Sequence, residues 1–473
     1  MIPGPRVLGG APASASLSQV SARKPRAGRA LLRRLSLTAA LTRAIPFERR
    51  IPFATPERLR AAQERRIAEI AELAVEAVPY YREALRRGGL GSADVRTATD
   101  LALIPLVRRE SLRRDPERFL SQRADRDDLI AVRTGGSTGE PVTFMRDARS
   151  LFIRDLNLRR FTPLVASITG KRFRRRAYLL TTAGGATERV NEAFERRRLI
   201  STGRIDQRTF SVFTPPRELI RELDEFRPDV ITAFGSYLEE LFTEMLATGE
   251  GHHHRPALAI FTSDPLSPRL REEAARRLGI RTLGLYQAVE TPMIGFECGR
   301  GRGFHVNIDL CPIRIVDEEE HDVPMGEPGE VVISNLVNRG TVLLNYALGD
   351  RAALEPGPCD CGRTLPRLSL LEGRTSDWLI AADGERVHPQ AIRRLVNRHP
   401  PLWRYQIVQE RPGRVRVRAA VDPAADAAAV ARDFHADAEE AVSGLTIALE
   451  PVETLERSEG GKARGVIKAE DES

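Results

Sequence analysis

The sequence predicts an α/β fold: a large N-terminal domain of mixed sheets and helices, followed by a small C-terminal α+β domain. Three observations carry that prediction. Short apolar runs alternate with charged stretches of helical period from about residue 128 to residue 370, the pattern of strands separated by helices. After Gly373 the runs shorten into a strand and helix series of their own. The 473 residues are 41% hydrophobic, enough for a sizeable core and for two or three domains of about 100–200 residues each.

Residues 1–50 read as a basic extension rich in Ala, Ser, Arg and Gly. Two readings compete there: a disordered leader, and a mitochondrial transit peptide, whose Arg-rich, acid-poor composition it shares. Disorder is favoured, and with it a cytoplasmic protein. From Pro56 to Arg87, Leu59, Ala62, Ile67, Ile70 and Leu73 recur at helical spacing, and Pro79 interrupts before Tyr80-Tyr81. Asp128–Arg133, Val142–Phe144, Ala177–Leu180, Val230–Ala233, Leu258–Phe261, Thr282–Leu285 and Glu330–Ser334 read as strands, and Pro216–Glu225, Tyr237–Leu246 and Pro268–Leu278 as the helices between them. The tail reads as a helix at Pro389–Asn397, strands at Arg404–Glu410 and Arg414–Val421, a helix at Ala424–Ala441 and a strand at Leu445–Val452.

Charge first suggests a nucleic-acid partner, since Lys and Arg exceed Asp and Glu by 8. The first 47 residues, however, hold eight cations and no acid. Everything after them is formally neutral, so composition gives no support to a nucleic-acid-binding core, and a phosphate-tracking surface would have to come from local clustering. No apolar run approaches the roughly 20 residues of a membrane helix. Four cysteines, two of them in Cys359-Asp-Cys361, do not make a disulfide framework in a chain of this length; reduced thiols or a metal fit better. Only four lysines occur, Lys24, Lys171, Lys462 and Lys468. A lysine kept against that bias is a candidate for chemistry that arginine cannot do.

The clearest local motif is Arg133-Thr134-Gly135-Gly136-Ser137-Thr138-Gly139-Glu140-Pro141, between two expected strands. Glycines allow backbone N–H groups to converge on phosphate oxygens, and the Ser and Thr hydroxyls add donors. It is not a Walker loop, because no Gly-Lys-Ser/Thr follows; an ordinary glycine-rich hairpin turn is the alternative.

Other segments decide its reading. Asp100-Leu101 with Ile104-Pro105, Phe234-Gly235-Ser236-Tyr237-Leu238, Thr262-Ser263-Asp264-Pro265-Leu266, Tyr286-Gln287-Ala288-Val289-Glu290, Leu344-Asn345-Tyr346-Ala347-Leu348-Gly349-Asp350, Gly373-Arg374-Thr375-Ser376-Asp377 and Gly460-Gly461-Lys462-Ala463-Arg464 follow in order. From about residue 56 the chain resembles the phenylacetate–CoA ligase family of adenylate-forming enzymes. The resemblance implies an adenylation domain over residues 51–372, a hinge at 373–377 and a mobile domain over 378–473 that carries the catalytic lysine. It implies ATP, Mg²⁺ and coenzyme A as cofactor and co-substrates, and a small carboxylic acid, aromatic and phenylacetate-like, as substrate. No nucleic acid is implied, and homodimerisation stays open.

Roles follow by the same resemblance. Thr134, Gly135, Gly136, Ser137, Thr138 and Gly139 would position phosphates. Glu290 would hold Mg²⁺, since a hard cation bridging phosphates needs carboxylate oxygen. Asp264 and Tyr286 would line the nucleotide site, Tyr286 offering a flat face to adenine, and Asp350 with Arg374 would hold the ribose. Lys462 would stabilise charge on the α-phosphate and the attacking carboxylate. Against these stand plainer readings: a loop charge for Glu290, a core aromatic for Tyr286, a turn residue for Asp350 and a surface ion pair for Arg374.

Cys298, His305, Cys359 and Cys361 offer three thiolates and an imidazole, the donor set of a closed structural zinc site. Buried free cysteines and a loop histidine are the alternative; similar segments in the resembling family can hold zinc and favour the metal. Cys311, in the strand-like Ile308–Val316, reads as core. His252-His253-His254 and the basic run Lys171–Arg176 read as solvated loop and surface. Four departures from the family's pattern bear on ATP: Glu140 stands where lysine is usual, Gln287 for glycine, Val289 for a hydroxyl residue, and Ser376 for an acid.

Overall fold

A computed structural model describes residues 39–40, 43–133, 142–171, 174–179, 205–247, 254–300, 303–374, 378–422, 425–442, 444–452, 454–456 and 465–468. The glycine-rich loop residues Thr134–Gly139, hinge residues Thr375, Ser376 and Asp377, and Lys462 lie outside them, as do the leader through residue 38, His252 and His253.

Helix α1 (Pro56–Ala77) starts where Thr55 Oγ1 accepts the Arg58 amide at 3.4 Å, and it gives way at Val78 because Pro79 opens α2 (Pro79–Arg87). A short α3 (Arg109–Arg114) precedes β1 (Ile130–Arg133) and β2 (Thr143–Arg146). These pair antiparallel, with Ile130 opposite Arg146 and Arg133 opposite Thr143, so the two strands expected to flank the glycine-rich loop are neighbours. Next comes α4 (Ala148–Thr169), capped by Asp147, whose Oδ1 accepts the Ser150 amide at 2.8 Å. The sequence reading missed α4 because its buried face includes Ser150, Asn157 and Arg160 and because Pro163 lies inside it.

The main sheet has a parallel half and an antiparallel half. Strands β3 (Arg174–Leu179), β4 (Ile205–Phe210), β5 (Val230–Phe234), β6 (Leu258–Thr262) and β7 (Arg281–Tyr286) run parallel in the order β4-β3-β5-β6-β7. Between them lie α5 (Pro216–Phe226), α6 (Gly235–Ala247) and α7 (Pro268–Glu273), the last continued by a π-turn over Ala274–Leu278. All five residues of β5 and of β6 are buried, as a parallel sheet covered on both faces requires. The antiparallel half adds β8 (Gly295–Phe296), β9 (Phe304–Val306), β10 (Ile313–Val316), β11 (Gly329–Ile333), β12 (Tyr346–Glu355) and β13 (Arg367–Arg374), in the order β7-β8-β9-β13-β12-β11-β10.

The expected strand at Ile308–Val316 begins only at Ile313. Before it, Asp309 is drawn into a buried ion cluster: it accepts from Arg160 at 2.7 and 2.8 Å and from Arg66 at 2.8 Å, while Glu48 takes Arg160 Nε at 2.8 Å. A carboxylate shared by two guanidinium groups holds this turn against α1 and α4, in place of a ladder.

The C-terminal elements are β14 (Leu379–Ile380), β15 (Arg386–Val387), α8 (Gln390–Asn397), β16 (Leu402–Arg411), β17 (Arg414–Val421), α9 (Ala427–Ala441), β18 (Thr446–Pro451) and β19 (Val466–Lys468). A four-stranded sheet in the order β18-β17-β16-β19 shares with α8 and α9 a core containing Ile392, Ile407, Val417 and Phe434. That core is separate from the one on the main sheet. Arg404 of β16 reaches Glu240 of α6 at 3.1 Å. Among the described residues, no helix is long and apolar enough to cross a membrane.

Gly235, the first residue of α6, has no room for a side chain. A Cβ there would lie 2.2 Å from the Pro265 carbonyl oxygen and 2.5 Å from that of Asp264, and backbone cannot swing aside. Gly235→Ala is expected to cost about 2–3 kcal/mol by overpacking, read as a lower urea midpoint at unchanged m-value.

Candidate active site

The carboxyl ends of β5, β6 and β7 stand side by side, Phe234 opposite Thr262 and Thr262 opposite Leu285. The residues that follow each strand therefore meet at one edge of the sheet, the usual place for a ligand in such a fold. After β6 the chain turns through Ser263, held at φ 74°, and delivers Asp264 to the start of α6. Asp264 accepts the Gly235 amide at 2.7 Å and the Ser236 amide at 3.3 Å. Its carboxylate thus braces the helix N-terminus, and the sequence alone did not reveal that function.

Tyr286 ends β7 with its ring largely buried beside Phe304, centroids 6.0 Å apart. Its hydroxyl donates to Asp350 Oδ2 at 2.8 Å. Burial first, and then the Asp350 carboxylate, raise the phenol well above its ordinary range, so it remains a donor. Asp350 lies on β12 opposite Arg374 of β13, where the ladder shifts register. Tyr286 and Asp350 thus meet from two strands, and the backbone of Arg374 pairs with Asp350 on a third.

Glu290 follows β7 by four residues, and its backbone is fixed from two sides. Asn335 Nδ2 donates to the Glu290 carbonyl at 2.8 Å, and Arg146 Nη2 donates to the carbonyls of Val289 and, at 3.0 Å, Thr291. The carboxyl binds its proton more tightly than an ordinary glutamate, chiefly through burial and also through Asp350; its own amide and the charges of Arg109 and Arg146 oppose this. Glu290 and Asp350 therefore sense each other across one site. Asn338 completes the frame, donating to Met145 O at 2.9 Å and Thr341 O at 2.8 Å, so that β2 is tied to the same polar strip. Arg109, Arg146, Asn335 and Asn338 were not singled out from the sequence, where an amide or arginine after a strand looks like any surface residue.

Two of the ordered motifs also meet directly. Asn345, at φ 49°, donates from Nδ2 to the Ile104 carbonyl at 2.6 Å, and its own carbonyl accepts the Val107 amide at 2.8 Å. This clamp sets the path of the chain into β12 and so the placement of Asp350.

The four expected zinc ligands converge. One donor atom from each of Cys298, His305, Cys359 and Cys361 lies within 4.8 Å of all the others. Cys298 Sγ and Cys359 Sγ are 3.7 Å apart, and Cys361 Sγ is 3.2 Å from His305 Nε2. Zn–S bonds of about 2.3 Å place the corners of a tetrahedron about 3.8 Å apart, so the donor set fits the ion. His305 Nδ1 lies 3.1 Å from the Leu365 carbonyl, an arrangement that leaves Nε2 as the coordinating atom. Burial, the largest influence, lowers the imidazole's affinity for a proton. Cys311 stands apart from this group, buried, with its thiol pushed up to about 12 by burial. Of the weaker motifs, His254 is used structurally, its amide donating to Asp224 at 2.6 Å and its Nε2 2.7 Å from the Pro228 carbonyl; Lys171 pairs with Asp229 at 2.5 Å.

No protein-family model matches the chain. A phenylacetate–coenzyme A ligase of Thermus thermophilus is 27% identical over 365 residues, covering 76% of this chain and 79% of the relative. One from Aromatoleum evansii is 24% identical over 441 residues, or 88% of this chain and 95% of the relative. The chain is similar to phenylacetate–coenzyme A ligases over most of its length. Its fold is also that of solved CoA ligases: the postadenylation-state structure of 2-hydroxyisobutyryl-CoA ligase with R3-HIB-AMP superposes with TM-score 0.73 at 18% identity, over 89% of this chain and 92% of that one. The α/β class expected from the sequence holds, in the mixed sheet with its helices and in that superposition.

Proposed function

We propose that this protein is an acid–thiol ligase that activates a carboxylic acid with ATP and transfers the acyl group to coenzyme A. The acid's carboxylate attacks the α-phosphorus, the bond to the β-phosphate oxygen breaks, and pyrophosphate leaves. The thiol of coenzyme A then attacks the acyl carbon, and AMP leaves. The observation that supports this most is the convergence of Glu290, Asp350 and Tyr286 at the carboxyl edge of the parallel strands in a chain similar to phenylacetate–coenzyme A ligases.

In this reading Asp350 and Arg374 hold the ribose, Tyr286 both fixes Asp350 and borders the adenine, and Asp264 keeps the start of α6 in place beneath them. Residues 134–139 position phosphates. Glu290 is the residue to hold Mg²⁺, which when bound neutralises phosphate charge. Lys462 stabilises the charge that develops as the adenylate forms. Residues 373–377 act as a hinge between units 51–372 and 378–473, and rotation there withdraws Lys462 and admits the thiol. Cys298, His305, Cys359 and Cys361 hold a structural zinc ion that ties the segment after β8 to the loop before β13. The substrate is an aromatic acid of phenylacetate type.

Product analysis tests the acceptor. Purified protein with ATP, Mg²⁺, phenylacetate and coenzyme A is expected to yield the acyl-CoA thioester by mass spectrometry. An acyl-adenylate consumed by an added amine, hydroxyl compound or carrier-protein thiol, and left untouched by coenzyme A, would overturn the second half of the reaction.

A further inference from the structure

We propose that Arg146 binds the phosphate chain of the nucleotide, through an N–H that has no acceptor among the described residues; this rests on the function proposed above. Arg146 ends β2 and is only 5% exposed. One arm of its guanidinium is committed, Nη2 donating to the carbonyls of Val289 and Thr291 on either side of Glu290. The other arm, Nη1, is buried with no hydrogen-bond partner among the described residues. A guanidinium is always charged, and an N–H withdrawn from water without an acceptor costs about 1–3 kcal/mol or more. Such a group persists where something else uses it.

The surroundings say what that something is. The charge of Arg154 acts on Arg146 in the repulsive sense, and the anions that act on it are Glu290 and Asp147. Asp147 is occupied in capping α4. Glu290 is the proposed Mg²⁺ holder, and Mg²⁺ sites are completed by substrate phosphates. An oxyanion that meets Nη1 beside the Glu290 metal is therefore a phosphate oxygen of the pyrophosphoryl portion. The fork geometry of arginine suits this division of labour, one arm fixing the Glu290 backbone and the other receiving the anion.

Calorimetry on the full chain with Mg²⁺ separates this from a purely structural role. Arg146→Lys keeps a donor for the two carbonyls and removes the second arm; Arg146→Met removes both. Both variants are expected to bind ATP and inorganic pyrophosphate about 10- to 100-fold more weakly, the cost of one charged hydrogen bond, and AMP within about 3-fold of the parent. In turnover, KM for ATP should rise while KM for the acid holds. Parental ATP and pyrophosphate affinity in Arg146→Lys, with a loss confined to Arg146→Met, would reduce Arg146 to a prop for Glu290 and overturn the proposal, as would equal losses for ATP and AMP, unchanged pyrophosphate affinity in both variants, or a rise in the acid's KM alone. A parent protein that binds neither ATP nor AMP would instead overturn the function on which the proposal rests.

Discussion

Lys462→Ala is expected to lower the rate of acyl-adenylate formation by about 10²–10³-fold or more, the scale on which a single preorganised donor to a developing oxyanion counts. The far-ultraviolet spectrum and melting temperature should stay at parental values. The charge rationale is specific to this chain. Arginine supplies nearly every cation, yet lysine is kept at 462 within a Gly-Gly-Lys segment, where a compact ammonium can enter a crowded phosphate site that a guanidinium fork cannot. The second half-reaction discriminates further. Supplied with preformed acyl-adenylate and coenzyme A, the variant should form thioester within a few-fold of the parent, because the proposed hinge rotation withdraws Lys462 in that step. A variant that adenylates at the parental rate would remove Lys462 from the mechanism, and one that loses both halves equally would point to a damaged fold.

Removal of the zinc site is the largest stability effect expected. Cys359→Ser or His305→Ala breaks a four-ligand set whose donor atoms are already at coordination spacing, and the purified parent should carry one zinc per chain by elemental analysis. Metal present at a thousand times its Kd adds about 4 kcal/mol to the folded state, and each kcal/mol moves the melting temperature by about 2–4 °C. A fall of roughly 10 °C is therefore expected in either variant or in the chelated parent. Parent protein that contains no zinc, and melts identically with and without chelator, would make the cluster four reduced side chains and nothing more.

What the residues revealed in advance, and what they concealed, follows physical lines. The parallel strands were legible because burial on both faces leaves unbroken apolar runs, as at Val230–Phe234 and Leu258–Thr262. The tail was legible by alternation, since Arg414 to Ala419 switches between less buried and buried residues at every step. Strands β12 and β13 escaped because their half-exposed positions and charged residues break the alternation. The turn before β10 escaped because Asp309 answers to Arg160 and Arg66, far away in sequence. The same contrast runs through the site. Glu290, Asp350 and Tyr286 could be named through ordered motifs, and the structure places Tyr286 on Asp350 and Glu290 within reach of the Asp350 charge. Asp264 could be named too, though its carboxylate is directed at the Gly235 and Ser236 amides. Arg146 could not, because one arginine among 73 Lys and Arg carries no signal until its burial and the lack of an acceptor for Nη1 among the described residues are known.

Acid-dependent exchange of labelled pyrophosphate into ATP is the most direct measure of the central claim, since it needs only the first half-reaction and no knowledge of the acceptor. With phenylacetate and related aromatic acids, exchange should appear only when acid, Mg²⁺ and parent protein are all present, and it should vanish in Lys462→Ala. Absence of exchange across aromatic and aliphatic acids, from folded protein, would contradict the assignment of this chain as an adenylate-forming ligase.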